Sequence, residues 1–112
     1  MLIFKLFRKD EWHDLQRDGT SAGAPIDVAD GYIHFSTKEQ VAETAAKHFD
    51  GAKGLYLAAL ETETLENDLR WEPSRGDALF PHLYRKLKLG DILWCRPLET
   101  GENGRQFPWD EM

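Results

Sequence analysis

Histidine and tyrosine occur two residues apart in two separate segments of the chain, and this spacing is the strongest indication of chemistry. The first segment holds Tyr32 and His34, and the second holds His82 and Tyr84. Residues two apart on a β-strand lie on the same face, so each segment can present an imidazole and a phenol together. Imidazole accepts and releases protons near neutral pH. The pattern therefore predicts a ligand site rich in hydrogen-bonding groups.

Charged residues accompany the second histidine. Arg70 and Glu72 share one face of an alternating segment, and Arg75 follows in a glycine-containing loop. If the strands that carry His34 and His82 are neighbours, these polar groups converge on one cleft. A carboxylate there can stabilise a positive charge as it develops, and an arginine can hold a phosphate.

Each of these residues also has a structural explanation. His34 can be a half-buried histidine that is bonded to a backbone carbonyl. His82 follows Pro81, which favours an edge strand or a bend. Arg70 and Glu72 can form an exposed ion pair, which contributes about 0–1 kcal/mol to stability. Residue types alone therefore leave the functional and the structural interpretations both open.

Two histidines and a carboxylate also suit a catalytic zinc ion, and His34, His82 and Glu72 would supply them. The sequence has no HxH or HxxxH pair to support such a site, so we expect no metal. A Ser-His-Asp triad has still less support, because no serine lies in a nucleophile elbow.

The elements that position these residues follow from the spacing of apolar side chains. We predict two helices, one from Asp10 to Gly19 and one from Thr37 to about Asp50, with Ser36 and Thr37 as capping residues. Residues 19–30 are rich in Gly, Ser, Ala, Pro and Asp, and we expect a long loop there. This order predicts an α+β domain with mostly antiparallel sheets. Strands are expected over residues 2–7, 31–36, 54–60, 69–72, 79–87 and 91–98.

The chain has 112 residues and a net charge of −6. We expect a single domain over residues 1–98 and a polar tail over residues 99–112, which Phe107 and Trp109 would dock. The negative charge argues against nucleic acid as a partner. With no apolar run of membrane-spanning length and no signal peptide, we expect a cytoplasmic location and no membrane partner. Cys95 lies in an apolar run and is expected to pack as a small hydrophobic residue.

The two segments closely resemble the bacterial family catalogued as domain of unknown function 952. The similarity runs from the first strand to about Leu89. It rests on residues 30–37 (Asp-Gly-Tyr-Ile-His-Phe-Ser-Thr), Gln40-Val41, Thr44-Ala45, His48-Phe49, Arg70-Trp71-Glu72, Ser74-Arg75-Gly76 and residues 79–84 (Leu-Phe-Pro-His-Leu-Tyr).

This resemblance implies a fold similar to the ADP-ribosyltransferases, which bind NAD in a cleft between two small sheets. In those enzymes a histidine on an early strand holds a ribose hydroxyl, an aromatic residue stacks on the nicotinamide, and a glutamate steadies the ribosyl cation. By analogy His34 takes the first role, Tyr56 or Tyr84 the second and Glu72 the third. The catalytic residues implied are His34 and Glu72, and the binding residues are His34, Ser36, Thr37, Tyr56, Arg70, Arg75, His82 and Tyr84.

The leading hypothesis is therefore a small domain that binds NAD or a related nucleotide near His34, with ADP-ribosyl transfer as the activity that the resemblance implies. Two alternatives stay open. One is a non-enzymatic module that binds another small ligand or a protein, and the other is a metal-dependent hydrolase that uses histidine and glutamate. The sequence leaves open whether the chain is an enzyme.

Overall fold

The computed structural model describes residues 1–74, 76–101 and 104–111. Within these ranges the chain forms four helices, α1 (Lys9–Asp18), α2 (Pro25–Asp30), α3 (Lys38–His48) and α4 (Thr62–Leu65). The strands are β1 (Leu2–Phe7), β2 (Thr20–Ser21), β3 (Ile33–His34), β4 (Tyr56–Glu61), β5 (Leu69–Ser74), β6 (Ala78–Leu83), β7 (Leu87–Lys88), β8 (Ile92–Pro97), β9 (Glu99–Gly101) and β10 (Gly104–Gln106). Short 3₁₀ helices follow at Leu89–Asp91 and Pro108–Glu111.

Two three-stranded sheets carry the fold. One has the order β1-β4-β8 and the other β3-β6-β5, and every strand pair among the described residues is antiparallel. The sheets meet at Phe4 and Ser36, which exchange two backbone hydrogen bonds with N···O distances of 2.7 and 2.9 Å. This bridge holds the residues just after β3 against the middle of β1. The α+β prediction with antiparallel sheets is thus confirmed.

Strand β1 is buried on both faces. Ile3 and Phe7 pack into one apolar cluster with Leu15 of α1, whereas Phe4 and Leu6 pack into a second cluster. The second cluster is completed by Val41 and Ala45 of α3 and by Phe107 from the end of the chain. Lys5 has the same parity as Ile3 and Phe7, so its side chain leaves the strand toward buried surroundings.

The prediction of two helices is wrong, because α2 and α4 also form. Residues 19–30 do not make a continuous loop. Pro25 occupies the first turn of α2, where its missing N–H costs nothing, and Gly31 ends the helix with φ of 85°. These helices have six and four residues, too few for an apolar periodicity to be visible in the sequence.

The strand that carries His34 is shorter than predicted, since β3 spans two residues and only the bridge at Ser36 continues it. Similarly, the region expected to be one strand over residues 79–87 divides into β6 and β7.

Cys95 packs against the first apolar cluster, and burial raises its pKa to about 12. The thiol therefore stays protonated at neutral pH. Within the described ranges, none of the helices combines the length and the apolar character needed to cross a membrane.

Candidate functional site

A cleft of about 880 Å³ opens beside the point where the two sheets meet. Its lining comes from β1, α1, α2, α3, the residues after β3 and the β5–β6 pair. Both histidines of the repeated motif, His34 and His82, line it, together with Ser36. The condition on which the convergence of the two polar segments depended is met, since His34 and His82 are direct partners in the β3–β6 register.

Asp27 lies at the centre of the polar groups along this cleft, and its side chain has no exposed surface. Its Oδ2 accepts hydrogen bonds from Lys5 Nζ at 2.9 Å and from the Ala24 amide at 2.7 Å. Its Oδ1 accepts from the His34 amide at 3.0 Å and lies 2.6 Å from His34 Nδ1. Burial, the largest effect, opposes charge on this carboxyl. The hydrogen bond from His34 and the charge of Lys5 outweigh it and lower the pKa of Asp27 to about 2.

Two glycines, one on each side of α2, allow the Asp27 carboxylate to lie in this position. Gly23 has φ of 101°, and a Cβ at that position would lie 2.4 Å from Asp27 Oδ2. Only glycine both adopts this backbone conformation readily and leaves room for the carboxylate. Gly31 then turns the chain from the end of α2 into β3, which returns His34 to Asp27.

His34 has a carboxylate oxygen close to each of its ring nitrogens. Nδ1 lies 2.6 Å from Asp27 Oδ1, and Nε2 lies 3.0 Å from Asp30 Oδ2. Ionised carboxylate oxygens only accept hydrogen bonds, so both contacts are attractive together when each nitrogen carries a proton. The ring is 31% exposed and Asp30 is 42% exposed, so a ligand can compete with Asp30 for Nε2. Nε2 is therefore the ring nitrogen of His34 that a ligand in the cleft can reach.

His82 is the buried histidine of the pair, with 2% of its surface exposed. Its Nδ1 lies 2.8 Å from Glu72 Oε1, and the same oxygen accepts a hydrogen bond from Tyr84 Oη at 2.6 Å. The hydrogen bonds from Tyr84 and His82 lower the pKa of Glu72. Because the ionised carboxylate only accepts, the proton of a neutral His82 lies on Nδ1. The buried Nε2 has no hydrogen-bond partner among the residues that the structure describes.

Tyr32 joins the two histidines into one aromatic cluster. Its ring stacks on His82 with centroids 4.2 Å apart, and it lies 4.9 Å from His34 and 5.2 Å from Tyr84. The His34 and His82 rings meet nearly edge to face, with centroids 5.3 Å apart. The face that both sequence segments share is therefore one continuous group of two imidazoles and two phenols.

The other expected site residues are distributed unevenly. Ser36 lines the cleft, where its hydroxyl lies 2.9 Å from Thr44 Oγ1. Arg70 stands outside, with its guanidinium carbon 4.9 Å from the centroid of the Tyr84 ring. Glu72 and Tyr84 are not among the residues that line the cleft; Glu72 contacts the lining residue His82, and Tyr84 contacts Glu72 and Tyr32.

Two further expected binding residues, Tyr56 and Thr37, do not line the cleft either, and Arg75 falls outside the described residues. Tyr56 does not line the cleft but packs against Trp12 beside the first apolar cluster, with centroids 6.2 Å apart. Its position on β4 turns it toward the core. Thr37 caps α3, and its amide donates to Gln40 Oε1 at 3.0 Å. Arg75 lies outside the residues that the structure describes.

Asp27 and Lys5 are the important residues that the sequence interpretation missed. A lysine in the middle of an otherwise apolar strand is a detectable signal, because a buried ammonium requires a charged partner. Lys5 is such a residue, and its Nζ also donates to the His34 carbonyl at 2.9 Å. The partner was hidden, since Asp27 falls in the segment that we expected to be a loop.

No group of three or more His, Cys, Asp or Glu side chains is arranged to hold a metal ion within residues 1–74, 76–101 and 104–111. The geometry explains this result. His82 Nδ1 and Glu72 are bonded to each other, and the nitrogens of His34 face Asp27 and Asp30.

Comparisons with known proteins identify relatives of uncharacterised function. A family model described as "Protein of unknown function (DUF952)" matches residues 6–95. The crystal structure of protein CC0527 from Caulobacter crescentus is 44% identical and covers 95% of this chain and 94% of that chain, with a TM-score of 0.89. The solution NMR structure of CC0527 is 42% identical and covers 99% of this chain and 96% of that chain, with a TM-score of 0.85. No curated protein matches the chain.

Proposed function

The chain belongs to the DUF952 family of proteins of unknown function, and we propose that it binds NAD or a related nucleotide in the cleft, with a ribose against His34 and His82. The proposal includes an ADP-ribosyltransferase-like arrangement of the fold. It is supported by two three-stranded sheets that meet at Phe4 and Ser36 beside the cleft.

The observation that carries the proposal is the buried Nε2 of His82, which has no described partner, beside the partly exposed ring of His34. A buried polar atom without a hydrogen bond costs about 1–3 kcal/mol. Such a group is retained where a ligand supplies the missing partner. The hydroxyl groups of a ribose and of a water bound beside it both donate and accept, so the cleft can give Nε2 of His82 the donor that it lacks while Nε2 of His34 contacts the ribose.

The size and walls of the cleft suit a nucleotide. Small-molecule sites commonly enclose about 300–1,000 Å³ and are lined mainly by apolar groups with a few polar ones. The cleft volume of about 880 Å³ falls within this range. Phe35, Phe49 and Phe80 contribute apolar wall against which a planar base can pack.

The charges of the lining favour NAD over nucleotides that carry only phosphate charge. Carboxylates outnumber cations along the cleft, and of the two described cations Lys5 is already paired with Asp27. Arg8, which stacks on Phe49 at 4.6 Å, is the cation available to a pyrophosphate. The positively charged nicotinamide ring of NAD is attracted by the acidic lining, whereas NADH and ATP lack that charge. The acidic lining residues are Asp10, Glu11, Asp14, Asp27 and Asp30.

Calorimetry with NAD, NADH, ADP-ribose and nicotinamide tests this proposal. We expect saturable binding of NAD that weakens about tenfold in a His34→Ala variant, which corresponds to about 1.4 kcal/mol. The matched control is His13→Ala, since His13 is an exposed histidine on α1 that does not line the cleft. The control should bind NAD as the wild type does. Absence of binding at millimolar concentrations of all four ligands would contradict the proposal.

A further inference from the structure

We propose that His82 is a catalytic proton acceptor in this cleft. Its Nε2 takes the proton of the hydroxyl that attacks the anomeric carbon of the nicotinamide-bearing ribose. The inference rests on the proposed function, because it assigns a reaction to the same site. It differs from the role that the family resemblance implied, in which Glu72 itself faces the ribosyl cation.

The hydrogen bonds of His82 prepare it for this role. Glu72 holds Nδ1 at 2.8 Å, which leaves the lone pair of the neutral ring on Nε2. A carboxylate that orients an imidazole in this way also stabilises the imidazolium that forms when Nε2 takes up a proton. The ring is buried among described groups that give Nε2 no competing hydrogen bond.

Glu72 is a positioning residue in this arrangement. One of its oxygens, Oε1, accepts the hydrogen bonds of both His82 and Tyr84. Arg70 stacks on the same Tyr84 ring, which further restricts the phenol. Because Oε1 of Glu72 is hydrogen-bonded to the His82 imidazole, Glu72 acts on the ligand through His82.

The neighbouring histidine has the complementary character. His34 faces carboxylate oxygens with both nitrogens, whereas Nε2 of His82 has no hydrogen-bond partner among the described residues. The two rings are fixed relative to each other, since their residues are register partners in β3 and β6. Tyr32 covers one face of the His82 ring, so a hydroxyl must approach Nε2 in the ring plane, as a hydrogen bond requires.

The reaction balances without any oxidant or additional reactant. The oxygen of water, or of an acceptor alcohol, forms a bond to the anomeric carbon. The bond from that carbon to the nicotinamide nitrogen breaks, and its electron pair neutralises the pyridinium ring, which leaves as nicotinamide. The proton of the attacking hydroxyl passes to His82 Nε2 and then to solvent. With water, the products are ADP-ribose, nicotinamide and one proton.

Two substitutions of His82 separate catalysis from structure. His82→Asn keeps a donor near the position of Nδ1 for Glu72 but removes Nε2. His82→Gln places an amide toward the position of Nε2, which can hydrogen-bond but cannot take up a proton. Nicotinamide release from NAD would be measured by chromatography for the wild type, both variants, Glu72→Gln and the exposed control His13→Asn. Calorimetry on the same samples gives the NAD affinity.

We expect the wild type to release nicotinamide and both His82 variants to lose at least about 100-fold in kcat, with the dissociation constant of NAD changed less than about threefold. Glu72→Gln should lower kcat about tenfold at unchanged KM, and His13→Asn should have no effect. If the wild type binds NAD without releasing nicotinamide, or if His82→Asn retains kcat, the inference is wrong and the proposed binding function stands. If NAD does not bind, both are wrong.

One measurement on the wild type does not depend on whether the variants fold. Long-range proton–nitrogen correlation spectra report which ring nitrogen of each histidine carries a proton. The inference requires the proton of the His82 ring to lie on Nδ1, with none on Nε2. A spectrum with the proton of His82 on Nε2 would overturn it.

Discussion

His34 and His82 are register partners on adjacent antiparallel strands, and their rings meet with centroids 5.3 Å apart. Each ring has its own carboxylate, since Asp27 contacts Nδ1 of His34 and Glu72 contacts Nδ1 of His82. The two carboxylates come from different parts of the chain and differ in burial. The paired arrangement thus gives one histidine a second carboxylate at Nε2 and leaves the other with a buried Nε2 that no described residue hydrogen-bonds.

Asp27→Asn should destabilise the protein by about 3 kcal/mol, because it leaves the Lys5 ammonium buried without a charged partner. Urea unfolding followed by tryptophan fluorescence measures this change. Asp14→Asn is the matched control, since Asp14 is exposed and forms an ion pair at 3.3 Å with Arg17, which is also exposed. The control substitution should lower the free energy of unfolding by less than about 1 kcal/mol. Equal losses in the two variants would show that the buried pair has no special contribution.

Stability should fall in acid in a way that depends on Asp27. Its pKa is lowered from 3.8 to about 2 in the folded protein, so its stabilisation is present above the unfolded value and is lost as the pH falls from about 5 to 2. The difference corresponds to about 2 kcal/mol. Urea midpoints at pH 6, 4, 3 and 2 should therefore decline more steeply for the wild type than for Asp27→Asn. Parallel declines would contradict the assigned pKa.

Gly23→Ala should destabilise the protein by about 2 kcal/mol and weaken NAD binding. The added methyl group would overlap the Asp27 carboxylate, and alanine is strained at φ of 101°. Gly90→Ala provides the control, because a Cβ at Gly90 meets nothing within 4 Å and its φ is ordinary. Thermal melts should show a large decrease for the first variant and less than about 0.5 kcal/mol for the second. If Gly23→Ala left the stability unchanged, α2 could move away from the added methyl group without destabilising the protein, and the prediction would be wrong.

Arg8→Gln should weaken binding of NAD and ADP-ribose about tenfold and leave nicotinamide binding unchanged. This follows if Arg8 supplies the charged hydrogen bonds to the pyrophosphate. Arg17→Gln is the control, since Arg17 is an exposed arginine on α1 whose guanidinium is paired with Asp14 and Asp18. Calorimetry at two salt concentrations should show the Arg8 effect shrinking as salt increases. An equal loss for all three ligands would indicate a general disturbance of the cleft.

The shared face of histidine and tyrosine within each segment could be predicted because the evidence for it is local, whereas the pairing of the two segments joins distant parts of the chain and entered the hypothesis only as a condition. Alternation places Tyr32 with His34 and His82 with Tyr84, and the antiparallel pairing of β3 with β6 then brings the four rings together. The helix that follows His34 was likewise predictable, because α3 is long enough to show an apolar stripe and begins with a capping box.

The Asp27 pair could not be predicted in the same way, because it depends on a contact across 22 residues. Its helix is shorter than two turns, and its Pro and Gly neighbours are typical of loops. The face of β4 on which Tyr56 lies could not be predicted either. This strand is buried along most of its length, so the apolar residues of β4 do not indicate which of its faces meets the cleft.

The most direct test of the central claim is a titration of the histidine ring signals with NAD, followed by proton–nitrogen correlation spectra at constant pH. Binding of a ribose between the imidazoles predicts saturable shifts of the His34 and His82 signals, with the exposed His13 unchanged. If the shifts of both rings saturate at the same NAD concentration, this would support a single binding site. Unchanged His34 and His82 signals at millimolar NAD would contradict nucleotide binding in this cleft.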